Sequence, residues 1–472
     1  MTDTAGKGTV PGGAAQDDHL RRDLGLLQAT SLAITDMIGI GPFITIPLIL
    51  AAMGGPQAIL AWILGALLAF CDGLSWAELG AAMPKAGGSY HYLREAYGAQ
   101  GAGRWMSFLM VWQIMFSAPL SIASGSIGFA NYLRYLLPAL AGKLSIFGWE
   151  ITGTVALGCA IPLLLVLLLY RRIRIVGNVS VIFLGGVLAG CLWIVASGIP
   201  HLNASRLLDF PPDAFLLNVV FWAGLGHATL YALYANWGYY NVCYLGGEIR
   251  DPGRVIPRAI LLSIFSVGAL YILMSLSILS VIPWREAMHS TFIASLFIER
   301  LQGAAAAKIM TVITLWIALA SVFSLMLGYS RIPYAAAADG TFFRIFARLH
   351  PRGGFPHISL IALGVIASAF GLLTLPDVIG SLVATRVLVQ YAPQTIGLFL
   401  LRFRNPAMPR PFRMWLYPLP GIISILGWIY ILGSSARRSL IFAVAVFVLG
   451  SAAYFLRERM KSSDRQKGVR SQ

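Results

Sequence analysis

The sequence predicts an all-α membrane protein with twelve transmembrane helices. Of its 472 residues, 58% are hydrophobic and only 11% are charged, and the mean hydropathy is +0.75. A soluble chain of this length could not bury so much apolar surface. Apolar runs of about 20 residues, enough to cross a ~30 Å hydrocarbon core as a helix, recur along the whole chain. Helix-breaking residues interrupt two of these runs, which predicts broken helices inside a membrane.

The apolar runs follow one another from near the N-terminus almost to the C-terminus, separated by short segments that contain polar, glycine or proline residues. Each is long enough, alone or with its flanking residues, to form one membrane-spanning helix. The predicted spans are 28–53, 57–83, 105–137, 149–170, 175–197, 214–244, 255–282, 305–337, 358–373, 378–401, 416–433 and 439–455.

The chain is strongly basic, with a net charge of +16 from 35 Lys and Arg against 19 Asp and Glu. Such a charge could indicate nucleic-acid binding, but the basic residues collect in alternate segments between the spans. Arg171, Arg172 and Arg174 form one such group, and Arg402 and Arg404 belong to another. This asymmetry follows the positive-inside rule. We therefore expect a multi-pass protein of the cytoplasmic (inner) membrane, surrounded by lipid, with both termini cytoplasmic and no nucleic-acid partner.

The ends of the chain and its cysteines point to no further function. Residues 1–26 are polar and lack the short apolar core of a signal peptide, so they predict a disordered cytoplasmic tail, and residues 458–472 predict a basic one. The four cysteines have spacings typical of neither a metal site nor a disulfide framework. No phosphate-binding glycine loop, nucleophile or paired-carboxylate motif is present. We expect no metal, no cofactor and no enzymatic activity.

The two interruptions are the most informative local feature of the sequence. They read Gly39-Ile40-Gly41-Pro42 in the first span and Ala235-Asn236-Trp237-Gly238 in the sixth. In hydrocarbon, a broken helix is tolerated only where it faces buried protein or a watery cavity. Paired breaks at corresponding points of two halves predict a transport site near the middle of the membrane. The alternative is that these glycines only allow close helix packing.

Five segments, in the same order along the chain, resemble the amino acid-polyamine-organocation superfamily, most closely its L-type and polyamine-type amino acid transporters. They begin with the first interruption and its flanks and end at the entry to the eleventh span, so the resemblance covers nearly the whole chain. The segments are Asp36 to Phe43, Ala77 to Tyr90, Gly247 to Ile260, Ser330 to Gly340 and Pro409 to Pro420.

This resemblance implies a LeuT-type fold with two five-helix repeats of opposite topology and with broken helices 1 and 6. The repeats would span residues 27–199 and 214–402, and residues 412–457 would supply helices 11 and 12. It also implies a secondary active transporter, a permease that carries an amino acid by alternating access. A polyamine or organocation transporter, or a membrane sensor that binds a solute without moving it, would use the same fold.

The resemblance and the physics of helix ends together predict a binding site at the two breaks. Free N–H groups around Gly39, Ile40 and Gly41 would bind a carboxylate, because the N-terminus of a helix attracts anions. Freed carbonyl groups near Met37, Tyr234, Ala235 and Trp237 would bind the amine. Tyr234 corresponds to the gating aromatic of the L-type transporters and would act as a lid over the substrate, and other side chains would line the pocket. The predicted substrate-binding residues are Met37, Ile38, Gly39, Ile40, Gly41, Phe43, Tyr234, Ala235, Asn236, Trp237, Gly238 and Tyr239.

Three ionisable residues, Asp36, Asp72 and Arg386, lie deep inside predicted spans. A charge in the membrane costs several kcal/mol, roughly 2.5 to 3.5 on insertion scales, so each is a functional candidate. Asp36 could bind a cationic solute, carry a coupling proton or neutralise Arg386, and a structural ion pair between the acids and Arg386 is the alternative. The fifth span lacks the lysine of several relatives, while hydroxyls of Ser321 and Ser324 could bind sodium. Coupling to protons, coupling to sodium and plain exchange therefore all stay open.

Glu78, at the inner end of the second span, is a further charged residue for which the sequence suggests a partner. Lys85 follows it by seven positions, so we expect these two to pair across the turn after that span.

Overall fold

The computed structural model describes residues 22, 24–85, 87–99, 101–146, 149–170, 176–351 and 355–470. Most of the predicted N-terminal tail, residues 1–21 and 23, and the basic segment 171–175 lie outside the described residues.

The described chain is largely helical, and a short β-hairpin lies between two of the long helices. The strands β1 (Lys143–Ile146) and β2 (Trp149–Thr152) pair antiparallel, with Lys143 opposite Thr152. The helices are α1 (Leu26–Met37), α2 (Gly41–Met53), α3 (Ile59–Ala82), α4 (Ser89–Ala96), α5 (Ala102–Leu136), α6 (Gly153–Leu169), α7 (Val176–Gly198), α8 (Ala204–Leu207), α9 (Val219–Asn236), α10 (Asn241–Tyr244), α11 (Pro252–Val281), α12 (Trp284–Ala287), α13 (Ile293–Ala338), α14 (His357–Phe370), α15 (Leu375–Arg386), α16 (Ala392–Arg404), α17 (Leu419–Ser434) and α18 (Arg437–Arg470).

The apolar helices agree with the coarse prediction of an all-α chain. Among the described residues, five helices are long and apolar enough to cross a membrane. The pair α1 and α2, bent by 46° at a short break, makes a sixth when counted as one span, and four shorter apolar helices accompany them.

Residues 149–152, the start of the predicted fourth span, form β2 instead of helix, and the helix bounds differ most from the predicted spans in three other places. The helix of the eighth span begins earlier, at Ile293, and turns at Gly303, whose φ of 85° lies in the left-handed region that favours glycine. The last helix continues to Arg470, beyond the predicted end at residue 455. The tenth span is divided by a π-helical turn, Val387–Tyr391, between α15 and α16. Hydropathy alone does not register such turns, because they leave the apolar composition unchanged.

The helix α5 lies at the centre of the fold and packs against α6, α13, α14, α15 and α18. It is apolar on nearly all sides, which is typical of a helix surrounded by others. Small residues let its neighbours approach closely: a Cβ atom at Gly125 would lie 2.4 Å from a methyl group of Val322 on α13. This close packing brings α5 and α13 to the same region as the first break.

The peripheral helices present apolar side chains outward. On α6, Leu167 is 70% exposed, and on α18, Val448 is 54% and Leu456 is 61% exposed. Exposed apolar surface of this extent indicates contact with lipid or with another protein. The arrangement is that of a helical bundle built for a membrane.

Glu78, near the C-terminal end of α3, is 1% exposed and has two arginine partners. Arg402 of α16 donates to both of its carboxylate oxygens, at 2.8 and 2.6 Å, and Arg410 lies 3.4 Å away. The backbone N–H of Met414 also donates to it, at 2.7 Å. The prediction that Glu78 pairs with Lys85 was wrong. Spacing along the sequence suggested the nearby lysine, but the fold brings two arginines from distant positions to this carboxylate.

Candidate solute-binding site

The first break separates α1 from α2. The α1 helix ends at Met37, Ile38 leaves the helical region with ψ of 58°, and α2 begins at Gly41. Pro42, at the second position of α2, lacks an N–H group and has a backbone angle that suits a helix start. The first N–H groups of a helix have no partner within it, so this end of α2 presents unpaired donors and a partial positive charge.

The second break follows α9. Trp237 is extended, with ψ of 146°, and Gly238 has φ of 135°, a conformation that other residues rarely adopt. The short helix α10 then begins at Asn241. The glycine therefore turns the chain between two helical segments.

The two breaks are in direct contact. A Cβ atom at Gly238 would lie 2.6 Å from the backbone nitrogen of Met37 and 2.7 Å from the carbonyl carbon of Asp36. At Gly41 it would lie 3.3 Å from Cα of Ala235. Real Cβ atoms do not approach backbone as closely as the first of these distances, so glycine at position 238 is what allows the contact.

The breaks line a cavity of about 60 Å³, which is room for a few water molecules. Side chains from α5, α13 and α15 complete its wall. The lining residues are Asp36, Met37, Gly39, Ile40, Gly41, Ser121, Gly125, Tyr234, Trp237, Gly238, Tyr240, Asn241, Ser321, Leu325, Tyr329, Leu382 and Arg386.

Several residues predicted to bind substrate lie away from this lining. Phe43 packs edge-on against Tyr132, with ring centroids 6.4 Å apart. Asn236 donates from its amide nitrogen to the carbonyl of Ala232 on its own helix, at 2.9 Å. Ile38, Ala235 and Tyr239 also lie outside the lining. Their side chains face packed protein, because helix rotation places neighbouring positions on different sides.

Asp72 lies outside the cavity lining and is 1% exposed. The hydroxyl of Tyr239 donates to its Oδ2 at 2.6 Å, and Oδ1 is buried without a partner in the described part of the chain. Since Tyr239 follows Gly238 directly, this hydrogen bond ties α3 to the second break.

Asp36 is the acidic residue of the cavity lining. Its Oδ2 accepts a hydrogen bond from the amide of Asn241 at 2.6 Å, and the side chain is only partly buried. Asn241 stands at the start of α10, so this bond joins the last turn of α1 to the helix after the second break. Sequence reasoning missed Asn241, although an amide beside a broken helix was a usable signal.

Arg386, the last residue of α15, is 3% exposed and has neutral partners. It donates to the hydroxyl of Tyr240 at 2.6 Å and to that of Tyr329 at 2.9 Å. Its guanidinium carbon lies 5.6 Å from the ring centroid of Trp237, within cation–π range. Among the described residues, no carboxylate lies within ion-pair distance of Arg386, so the alternative of a structural ion pair with Asp36 or Asp72 was wrong for this conformation.

Tyr271 of α11 is a second residue that the sequence did not reveal. Its side chain is fully buried, and its hydroxyl lies 2.8 Å from the carbonyl oxygen of Met37 and 3.3 Å from that of Ala235. These are two of the carbonyl groups expected to be free for an amine. A carbonyl oxygen has two lone pairs, so each can still accept a second hydrogen bond.

Tyr234, expected to act as a lid, lies at the cavity with its hydroxyl 2.7 Å from Oγ of Ser124 on α5. Ser321 of α13 lies beside the first break, because a Cβ atom at Gly39 would lie 2.6 Å from its Oγ. Hydroxyl groups of both α5 and α13 therefore lie close to the broken helices.

A cavity enclosed by two broken helices in a bundle of apolar helices defines a membrane transport protein. The family model described as Amino acid permease matches residues 24–453. Among curated proteins, the chain is 28% identical over 465 residues to the Asc-type amino acid transporter 1 of Homo sapiens, covering 95% of this chain and 84% of that protein.

Two further relatives are similar over almost the whole chain. The serine/threonine exchanger SteT of Bacillus subtilis (strain 168) is 26% identical over 461 residues, covering 95% of this chain and 99% of that protein. The large neutral amino acids transporter small subunit 2 of Homo sapiens is 26% identical over 474 residues, covering 95% and 82%. The chain belongs to the amino acid permease family, a family of multi-pass membrane transporters rather than of enzymes.

Proposed function

We propose that the protein is a secondary carrier that binds the backbone of an amino acid between its two broken helices and moves it by alternating access. The cavity formed where the breaks meet is the observation that carries this proposal. Amino acid transport is also what the names of its relatives state. The fold proposed with it has twelve spans, arranged as inverted five-helix repeats at residues 27–199 and 214–402.

The carboxylate of the substrate would bind at the start of α2. Gly39, Ile40 and Gly41 line the cavity there, and the end of a helix with unpaired N–H groups binds anions. The absence of side chains at the two glycines lets the substrate approach the backbone. Each N–H bond to a carboxylate is charge-assisted, which makes it stronger than a neutral hydrogen bond.

The ammonium group would bind on the other side of the break. The carbonyl oxygens of Met37 and Ala235 both lie within hydrogen-bond distance of the Tyr271 hydroxyl, so two acceptors lie close together there. Asp36 lines the cavity close by and would add a negative charge. An amino acid presents both groups at the spacing of one carbon atom, which a polyamine does not.

Movement would occur at the breaks, because Gly238 and the residues around Ile38 are the points where the helices are already interrupted. A proton on Asp36 or Asp72 is one route of coupling to an ion gradient, and exchange of one amino acid for another is a second. We place the protein in the cytoplasmic membrane with both termini inside, as the distribution of basic residues supports.

Uptake into proteoliposomes tests the proposal. Vesicles with the purified protein should take up labelled serine, leucine or aspartate with saturation, and unlabelled amino acids should compete while putrescine should not. Runs under pH and sodium gradients and with amino acid preloaded inside separate the modes of coupling. If no amino acid shows saturable flux in any of these conditions, the proposal is wrong, and thermal stabilisation by a ligand without flux would indicate a sensor.

A further inference from the structure

We propose that the cavity selects an amino acid with a second carboxylate in its side chain, and that Arg386 is the residue that binds it. This inference rests on the proposed function and names the substrate class of the same site. It is argued from the position of Arg386, its partners and the spacing between it and the first break.

Arg386 lines the cavity, and no carboxylate in the described part of the chain pairs with its charge. Its described partners are hydroxyl groups of Tyr240, Tyr329 and Ser121, with the last at 3.5 Å, and its Nε is buried without a partner in the described residues. A buried cation surrounded only by neutral groups is costly, and a carboxylate offers the planar, two-oxygen geometry that a guanidinium binds best. A solute with such a group would supply the missing charge.

The backbone around Arg386 is irregular. Arg386 ends α15, and the π-helical turn Val387–Tyr391 follows at once. Single π-helical turns occur frequently at functional sites, because the extra residue changes the direction in which side chains point. The hydroxyl partners come from three other segments, so the guanidinium is held from several sides.

Arg386 and the break at Gly39 lie at different levels of the cavity. On α13, Ser321 is next to Gly39 while Tyr329 contacts Arg386, and eight residues of helix between them rise about 12 Å. On α5, Gly128 is next to Ile40 while Ser121 contacts Arg386, and seven residues rise about 10 Å. Both rises are between Cα atoms, and the side chains of Tyr329 and Arg386 span part of the distance between the first break and the guanidinium.

This offset decides which carboxylate Arg386 would bind. A carboxylate held by the N–H groups at the start of α2 lies at the level of Gly39 and Gly41, away from the guanidinium. A group that reaches Arg386 must extend from the substrate's Cα toward Tyr240 and Tyr329. Glutamate, whose side chain is one carbon longer than that of aspartate, extends further in this direction, and its second carboxylate would meet Nε and the Nη atoms.

The other charge in the lining supports the same assignment. Asp36 is at the end of α1, beside the carbonyl of Met37 where the ammonium group would bind, and is hydrogen-bonded to Asn241. With Asp36 opposite the ammonium and Arg386 opposite the side chain, an acidic amino acid meets an opposite charge at each end. A lysine side chain would instead meet a like charge, and lysine should therefore be excluded.

Competition between acids and their amides tests the proposal, because glutamate and glutamine, like aspartate and asparagine, differ little in shape. Proteoliposomes with wild type, Arg386→Gln, Arg386→Lys and the control Arg285→Gln, which removes an exposed arginine on α12, would be given labelled glutamate, aspartate or serine. In wild type and the control, glutamate should compete at least tenfold better than glutamine, and lysine should not compete.

Arg386→Gln should bring the ratio of glutamate to glutamine competition close to one, whatever the variant's overall uptake rate, and Arg386→Lys should keep part of the preference for acids. If neutral amino acids are transported with saturation but wild type shows no preference for acids over amides, the inference fails and the proposed function stands. A preference that persists in Arg386→Gln would overturn the role of Arg386. If that variant does not fold, the ratio measured for wild type and its change in Arg386→Lys decide the outcome. No saturable uptake of any amino acid would overturn the proposed function itself.

Discussion

Replacing Gly238 by alanine should disrupt the contact between the two broken helices. The new Cβ atom would lie 2.6 Å from the backbone nitrogen of Met37 and 3.0 Å from the carbonyl oxygen of Asp36, and backbone atoms cannot move aside as a flexible side chain can. The φ of 135° adds strain for any residue with a side chain. Such strain costs about 1 to 3 kcal/mol, and overpacking typically costs about 1 to 3 kcal/mol more.

Alanine substitutions at two other glycines should cost less stability, according to the space around each one. At Gly41 the Cβ atom would lie 3.3 Å from Cα of Ala235, an approach that a shift of a few tenths of an ångström relieves, so Gly41→Ala should cost less. Gly328 lies inside α13, with no other atom near a Cβ at that position, so Gly328→Ala should be neutral or stabilising by up to about 1 kcal/mol.

Thermal unfolding in detergent and amino acid uptake into proteoliposomes would measure the series. The melting temperature and the initial rate should both fall in the order Gly328→Ala, Gly41→Ala, Gly238→Ala, with uptake lost in the last. Wild-type melting and uptake in Gly238→Ala would refute the contact between the breaks and the reasoning built on it.

Three further substitutions test other parts of the site. Tyr271→Phe removes a hydroxyl shared by two carbonyl groups. We expect a loss of about 1 to 3 kcal/mol in stability and a raised KM in uptake assays. Unchanged stability and unchanged KM would contradict the role given to this residue. Asp36→Asn keeps an acceptor for Asn241 but removes the charge. The melting temperature should therefore stay the same, while the affinity for amino acids falls about tenfold, a loss of roughly 1.4 kcal/mol. If the variant and wild type have equal affinity in a binding titration, Asp36 is not a partner of the ammonium group. Glu78→Gln removes a buried carboxylate that serves two partly buried arginines, and it should lower stability by up to about 3 to 5 kcal/mol in chemical denaturation. The exposed control Glu150→Gln should change stability by less than about 1 kcal/mol; equal effects of the two would count against the cluster around Glu78.

Sequence reasoning located the region of the site better than its side chains. The glycines at both breaks, and Pro42 at the first, were visible because helix breakers inside apolar runs are rare and costly in a membrane. Of the residues singled out there, Gly39, Tyr234 and Gly238 line the cavity, whereas Phe43 and Asn236 do not. One step along a helix rotates a side chain by about 100°, and no periodicity can be read where the helix is broken.

The partners of the buried charges were also beyond the sequence. Glu78 was expected to pair with Lys85, seven positions away, but its partner Arg402 is 324 positions away. Arg386 was recognised as a functional candidate because a charge inside an apolar span is costly. Its hydroxyl partners on three other segments come together only when α5, α13 and the chain after the second break pack around α15.

The sequence by itself determined that this is a helical membrane protein, and it marked the two helices that are broken; the transporter family entered only through the resemblance of its motifs. Those properties depend on composition and on local backbone preferences, which each segment carries without its neighbours. The tertiary structure alone decided that the breaks touch through Gly238, that Tyr271 joins their carbonyl groups and that Arg386 faces the cavity with hydroxyl groups as its described partners. These are contacts between segments far apart along the chain, and they depend on how the helices rotate and cross when they pack.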